Sequence, residues 1–443
     1  MRYFKGYFLV LVGLAAALFS GGWLFFTTVG ERENPAIKFA EDLIAIGHQK
    51  TINIHFSDLQ SGLRQVSVAI VQDNKSQVVA SQAFPQKGIQ QKAISLTVSP
   101  AALKLHDGPA VVSVTAVDYS LFKNETVINR PVTIDRTAPQ IYLLTPTNNI
   151  NPGGCGVIAY RTSKPAAMSG VMVNKNFVPA YPAMINSKPT YVAYFALPIG
   201  FREAGASLRV LARDGGDNEA SIAVPMLLRN KKFRNDKMNL TDGFLNRIAA
   251  DFQPMPPEMQ GRSPLEIFTY INATLRLANE ATIREACRQS VPQQLWEGTF
   301  LRMKNASPMA QFGDQRTYLY DKKAIGSSVH LGVDLASTAN APVEASNNGI
   351  VKFTGNLGLY GNAIIVDHGQ GIFSVYGHMS EIGVKLGQHL KKGDIMGKTG
   401  RTGFAMGDHL HFSIVAGGQF VNPVEWWDSH WIADNVTKKL AEL

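Results

Sequence analysis

The chain has 443 residues, of which 45% are hydrophobic and 17% charged; this excludes an intrinsically disordered chain, and 39 Gly with 22 Pro exclude a collagen-like one. At roughly 100–200 residues per domain the length allows about two to four domains. The formal charge of +9 favours an anionic surface or polymer, and two cysteines, Cys155 and Cys287, are too few for a disulfide scaffold or a zinc finger.

Residues 6–30 carry no charged side chain, and Arg2 and Lys5 precede them. About 20 apolar residues rising ~1.5 Å each cross a hydrocarbon core of about 30 Å. Basic residues beside the first span keep that end in the cytoplasm. The sequence therefore predicts a cytoplasmic tail at 1–6 and a single transmembrane helix at 7–29. The protein is expected at the inner (cytoplasmic) membrane, with its other domains in the periplasm or extracytoplasmic space. A cleaved signal peptide ending at Ala15-x-Ala17 is the rival; the apolar run continues to Phe26, which favours an uncleaved anchor.

From about 35 to 230 apolar residues alternate with polar ones in short runs, as in Thr51–Phe56, Val66–Val71 and Ile94–Val98. Val114-Thr115-Ala116-Val117-Asp118 and Val210-Leu211-Ala212-Arg213-Asp214 repeat as V-x-A-x-D, 96 residues apart. That spacing is close to one immunoglobulin-like sandwich. Two modules, 35–138 and 139–230, are predicted, joined at Asp135-Arg136-Thr137-Ala138-Pro139, and they loosely resemble bacterial Ig-like domains. Two unrelated β segments are the plainer alternative.

Arg229, Lys231, Lys232, Arg234 and Lys237 form a basic cluster that reads as a solvated hinge. Outside the membrane no nucleic-acid partner is expected. Ser263-Pro264-Leu265-Glu266 is a capping box opening a helix, and Leu265, Phe268, Ile271 and Leu275 follow at helical spacing. A helical connector is predicted over 236–295, either a structural brace or a cover for a downstream groove. Cys287 near its end and Cys155 are expected as unpaired buried thiols, with a bridge between them as the alternative.

Seven of the ten histidines fall within 330–443, a region also rich in glycines between short apolar runs. This pattern predicts a compact antiparallel sheet with tight turns over 296–430, able to fold and hold metal by itself within 296–443. Three groupings stand out: His330-Leu331-Gly332-Val333-Asp334, Tyr376-Gly377-His378 and His409-Leu410-His411. Residues i and i+2 share a strand face, so His409 and His411 point into one pocket and Leu410 away from it. Two imidazoles and a carboxylate suffice for a catalytic zinc site, with two imidazoles left to handle protons. His48, His55, His106, His368, His389 and His430 read as structural or surface residues.

These groupings, with Tyr360-Gly361-Asn362, Lys392-Gly393-Asp394, Thr402-Gly403 and Val421-Asn422-Pro423, resemble the lysostaphin-type, LytM-like zinc peptidases over about 296–426. The resemblance implies a small antiparallel β fold with an open groove and one Zn2+ per chain. It implies that His330, Asp334 and His411 hold the metal, and that His378 and His409 are catalytic. It also implies peptidoglycan as partner and substrate, cleaved in its peptide stems or cross-links. Asp408 and Phe404-Ala405-Met406 depart from the usual pattern and are expected to alter the groove wall. The overall expectation is a mainly β, membrane-anchored zinc metalloendopeptidase. A catalytically silent scaffold or activator of other murein hydrolases is the alternative, disfavoured by five filled site positions.

Overall fold

The computed structural model describes residues 12–23, 32–145, 147–202, 207–252 and 254–443. Residues 12–23 are helical, and Val12, Leu14, Leu18, Phe19 and Trp23 on them are exposed. Among the described residues no helix is long and apolar enough to cross a membrane. The rest of the span predicted at 7–29 lies outside the described residues.

The chain divides into two compact units. The first runs to Pro139 and includes 164–167 and 213–220. Its strands form a three-stranded sheet, ordered Ala36–Phe39, Lys50–Ser57, Gln91–Val98, and a five-stranded one, ordered Ala45–Ile46, Glu125–Ile134, Gly108–Asp118, Leu63–Gln72, Lys75–Ala83. Alternation drives the packing. Ile52, Ile54 and Phe56 of the first sheet share a core with Val66, Val68, Ile70, Val112 and Val114 of the second. The V-x-A-x-D repeat has a structural meaning at its aspartates. The Asp118 carboxylate accepts from Ser120 N and Asn124 Nδ2, and the Asp214 carboxylate from Gly216 N and Asn218 Nδ2. Each buried carboxylate thus closes the turn that follows its strand.

The second unit comprises 140–163, 168–212 and 221–443. Its first part holds two four-stranded sheets, one ordered Tyr181–Ile185, Lys188–Ala196, Cys155–Thr162, Ile141–Leu143. Strand Cys155–Thr162 is apolar without alternation because both of its faces are covered. Ile158 and Tyr160 lie in the core between the two sheets. Cys155, Val157 and Ala159 join Trp296, Phe300 and Trp426 in the core of the C-terminal part. Both cysteines are free and buried.

The segment 236–295 differs from a separate connector. It begins with a strand, Asn235–Asn239, pairing in parallel with Gln315–Tyr320. Helices Asp242–Asp251, Pro264–Tyr270 and Arg276–Ala286 follow, the last two joined by a π-helical turn at Ile271–Leu275. The Ser263–Glu266 capping box is formed in both directions. Phe268, Ile271 and Ile283 are buried in the same core as Leu335, Tyr376 and Phe412. The boundary expected at 296 therefore cuts through one hydrophobic core. Lys231 of the basic cluster is also less solvated than a hinge residue: burial pulls its pKa down, and its Nζ sits 5.4 Å from the Phe233 ring centre.

The C-terminal part is an antiparallel sheet ordered Ser307–Ala310, Val333–Ala336, Leu410–Ala416, Ile372–Met379, Asn362–Asp367, Gly349–Asn356, His389–Leu390, with Gln419–Val421 added beside Leu410–Ala416. Its register sets Asp334 opposite His411, and His411 opposite Gly377 on the other side. This places the predicted site residues at one locus.

Candidate active site

Three ligand-type atoms meet at this point of the sheet. His330 Nε2 lies 3.0 Å from Asp334 Oδ1, His411 Nδ1 lies 3.0 Å from the same oxygen, and the two nitrogens are 3.1 Å apart. Ligand atoms bound at ~2.0–2.1 Å around a tetrahedral zinc are about 3.3–3.4 Å apart, so the triangle has nearly the right size.

Each imidazole has its other nitrogen tied. His330 Nδ1–H donates to Gln311 O at 3.0 Å, leaving Nε2 as the ligand atom. His411 Nε2–H donates to Ser413 Oγ at 2.9 Å, and that hydroxyl donates to Leu331 O at 2.8 Å. His411 is therefore held with Nδ1 free. Such outer contacts fix tautomer and ring orientation at metal sites. Burial would raise the Asp334 pKa, but His330 and His411 outweigh it and hold the carboxyl well below its ordinary range. Burial pushes His411 down to about 4. The carboxylate is thus ionised and His411 neutral near pH 7, the forms a metal requires.

Gly332 makes this closeness possible. A Cβ there would stand 2.6 Å from His411 Nε2 and 2.6 Å from Phe412 O.

His378 and His409 flank the triad, their ring centres 4.7 Å apart. His378 Nδ1–H donates to Thr402 O, and His409 Nδ1–H to Gly407 O, both at 2.8 Å. Among the described residues Nε2 of His378 has no hydrogen-bond partner, and Nε2 of His409 lies 3.7 Å from Asp334 Oδ1. Burial, aided by His409 and His411, pushes His378 down to about 3, so it is neutral at working pH. Its backbone is left-handed, with φ of +62°, an uncommon conformation that clusters at functional sites. Leu410 is buried in the apolar core, on the side away from its two histidine neighbours.

All five predicted residues line one cavity of about 390 Å3. Phe404, Met406 and Asp408 line it too, so the unusual segment does form its wall. Asp408 is engaged by Thr399 Oγ at 2.6 Å and Asn340 N at 3.0 Å. The remaining histidines are elsewhere. His368 is buried between Asn348 O and Ser374 Oγ, His106 pairs with Asp73 on the surface, and His55, His389 and His430 are exposed. Sequence reading missed Arg276 and Arg316, which line the same cavity, and gave Tyr360 no role, although its ring centre is 5.1 Å from that of His411. Nothing local in the sequence marks the two arginines.

Residues 328–423 match the model of peptidase family M23. DD-carboxypeptidase/endopeptidase Mpg of Neisseria meningitidis serogroup B is 38% identical over 96 residues, 22% of this chain and 22% of that protein. Peptidoglycan DD-endopeptidase ShyA of Vibrio cholerae is 36% identical over 96 residues, again 22% of each. The chain therefore spans about a fifth of the length of these curated relatives. The catalytic domain of lysostaphin from Staphylococcus simulans aligns at 27% identity, TM-score 0.25, over 30% of this chain and 98% of that one. A Pseudomonas aeruginosa M23 structure aligns at 21% identity, TM-score 0.40, over 64% and 96%.

Proposed function

We propose that this protein is a zinc-dependent endopeptidase that hydrolyses peptide stems or cross-links of peptidoglycan. The observation that carries the reading is the near-equilateral triangle of His330 Nε2, Asp334 Oδ1 and His411 Nδ1 inside a cavity flanked by two further imidazoles. The match to peptidase family M23 and the names of the relatives Mpg and ShyA support the reaction and the substrate.

His330, Asp334 and His411 would hold one Zn2+. Bound there, the ion supplies Lewis acidity toward a substrate carbonyl and lowers the pKa of bound water. The protein supplies positioning and proton handling. Gln311 O and the Ser413 hydroxyl keep the two ligand imidazoles oriented. The Nδ1 contacts of His378 and His409 with backbone carbonyls orient both rings with Nε2 toward the cavity, and burial keeps His378 neutral, so its Nε2 is ready to accept a proton or a hydrogen bond. With all five positions filled, nothing in the site favours a silent scaffold.

The same reading keeps the anchor at the inner membrane, supported by the uncharged run 6–30 and its basic flank. It treats the two sandwiches as Ig-like spacer or docking arms in the periplasm. Digestion of purified peptidoglycan with and without chelator, with mass spectrometry of the new termini, tests the activity. New peptide termini that vanish with chelator and return with zinc are the expected result; intact stems and cross-links throughout would sink it. Protease shaving of spheroplasts tests the anchor: a membrane-bound full-length chain is expected, and a soluble form shortened by about 17 to 20 residues would replace the anchor with a cleaved signal.

A further inference from the structure

Two guanidinium groups share the cavity with the five site residues. Arg316 stands on strand Gln315–Tyr320 and Arg276 at the start of helix Arg276–Ala286. Arg316 is half-buried and, among the described residues, its guanidinium has neither a hydrogen bond nor an ion pair. Arg276 donates from Nη2 to Asn272 Oδ1 at 3.0 Å, while its Nε is buried without a partner. The Arg276 Nε, withheld from water with no acceptor, costs free energy unless a ligand supplies one, while the Arg316 guanidinium is open to a ligand in the cavity.

Of the acids nearby, Glu280 acts on Arg276 through charge alone, and among the described residues none hydrogen-bonds its Nε or the Arg316 guanidinium. Asp334 is engaged by His330 and His411, Asp408 by Thr399 and Asn340, and Glu280 pairs with Arg284 at 3.3 Å. A second cavity of about 540 Å3, with Phe268, Ile325 and Phe420 in its lining, shares Arg276, Ser328 and Leu331 with the first. A peptide can therefore run from the triad past Arg276 onto an apolar surface. Planar guanidinium forks fit a planar carboxylate better than a point charge does.

We propose that Arg276 and Arg316 bind a carboxylate of the peptide substrate next to the scissile bond, so that stems with free carboxylates are cleaved in preference to amidated ones. This rests on the peptidase reading above and adds the substrate's charge.

The test uses the full chain and two synthetic stem peptides that differ only in carrying free carboxylates or carboxamides. The ratio of their kcat/KM values is the readout, with zinc content measured alongside. The native protein should favour the carboxylate peptide by about tenfold or more, the usual worth of a charge-assisted hydrogen bond. Arg316→Gln should abolish most of that ratio at unchanged zinc content, and Arg316→Lys should restore part of it. Arg276→Gln should act the same way; if it fails to fold, the Arg316 pair decides. An unchanged ratio in zinc-loaded Arg316→Gln overturns the proposal, as does a native protein indifferent to amidation. If the native protein digests peptidoglycan yet shows no preference, only this inference fails. If it cleaves neither peptide nor peptidoglycan, the peptidase reading fails and this one with it.

Discussion

His378 and Thr402 are joined by a 2.8 Å hydrogen bond from the imidazole Nδ1 to the backbone carbonyl, and His378 holds a φ of +62° to make it. A non-glycine residue pays roughly 1–2 kcal/mol for left-handed backbone. The chain keeps this strain where it places a neutral imidazole beside the His330–Asp334–His411 triad. Replacing His378 with Ala should leave zinc near one per chain and lower turnover by about 10²–10⁴. His411→Ala should lose zinc and activity together, since two ligands hold the ion poorly. His378→Gly should melt later than His378→Ala, by about 1 kcal/mol of stability, because only the glycine relieves the backbone. Equal melting of the two variants would show that the left-handed backbone stores no strain. Zinc loss in His378→Ala would make His378 a ligand.

Gly332 offers a separate test of how the triad is held. Its missing Cβ leaves room for the His411 ring, and backbone at Phe412 blocks the alternative direction. Gly332→Ala should displace His411 and weaken zinc binding by about 10–100-fold, as outer-shell disruptions do. Gly332 is buried and a Cβ there would also press on Phe412 O, so a thermal melt read alongside separates a displaced His411 from a lost fold. Wild-type zinc affinity in this variant would mean that His411 can tilt freely and is not positioned by the strand.

That His330, Asp334, His378, His409 and His411 would meet in one cavity was legible in the sequence through the order of their motifs and, for His409 and His411, through i, i+2 spacing on a strand. The Ser263–Glu266 capping box was legible for a similar reason, being a local motif with its own hydrogen bonds, whereas V-x-A-x-D showed only as a repeat and the turns that Asp118 and Asp214 close came from the structure. Contacts between distant segments were not. Nothing near Phe268 announces that it stacks edge-on against Tyr318, with ring centres 5.0 Å apart. The helical periodicity gave the apolar face but not its partner. Arg276 and Arg316 look like ordinary surface cations until the fold carries them to one cavity.

Glu425 shows such a long-range contact with a pH signature. Its carboxylate accepts from Cys155 N at 3.0 Å, 270 residues away in sequence. Burial pushes its pKa from 4.5 up to about 7, against the opposing pull of the Cys155 N–H and of Lys231. A group with a raised folded pKa contributes stability that is complete below about 4.5 and is lost as pH rises through about 7. Wild type should therefore lose stability across that window, on the order of 1–3 kcal/mol. Glu425→Gln, which has no charge to bury, should flatten that part of the profile and melt higher than wild type at pH 8. Thermal melts from pH 4.5 to 8 check this; parallel profiles for the two proteins would remove Glu425 as the cause.

The shared core changes what should be expected of the C-terminal fragment 296–443. Cutting at 296 removes Phe268 from Tyr318 and Phe404, and Tyr194 from Trp296 and Trp426. It removes Asn279 Oδ1, which accepts from Leu359 N at 2.8 Å beside the cavity. It also strips strand Asn235–Asn239 from the edge of Gln315–Tyr320. Each large apolar side chain withdrawn from such a core costs about 2–5 kcal/mol, and native domains hold only about 5–15 kcal/mol in reserve. The fragment 296–443 should therefore be unfolded or aggregated at room temperature even with zinc present. The fragment 140–443, which retains all of these contacts, should melt cooperatively and bind zinc. Circular dichroism melts and zinc analysis of both fragments separate the cases. A cooperatively folded, zinc-binding 296–443 would show that the helices and the second sandwich are accessories to a core already complete without them.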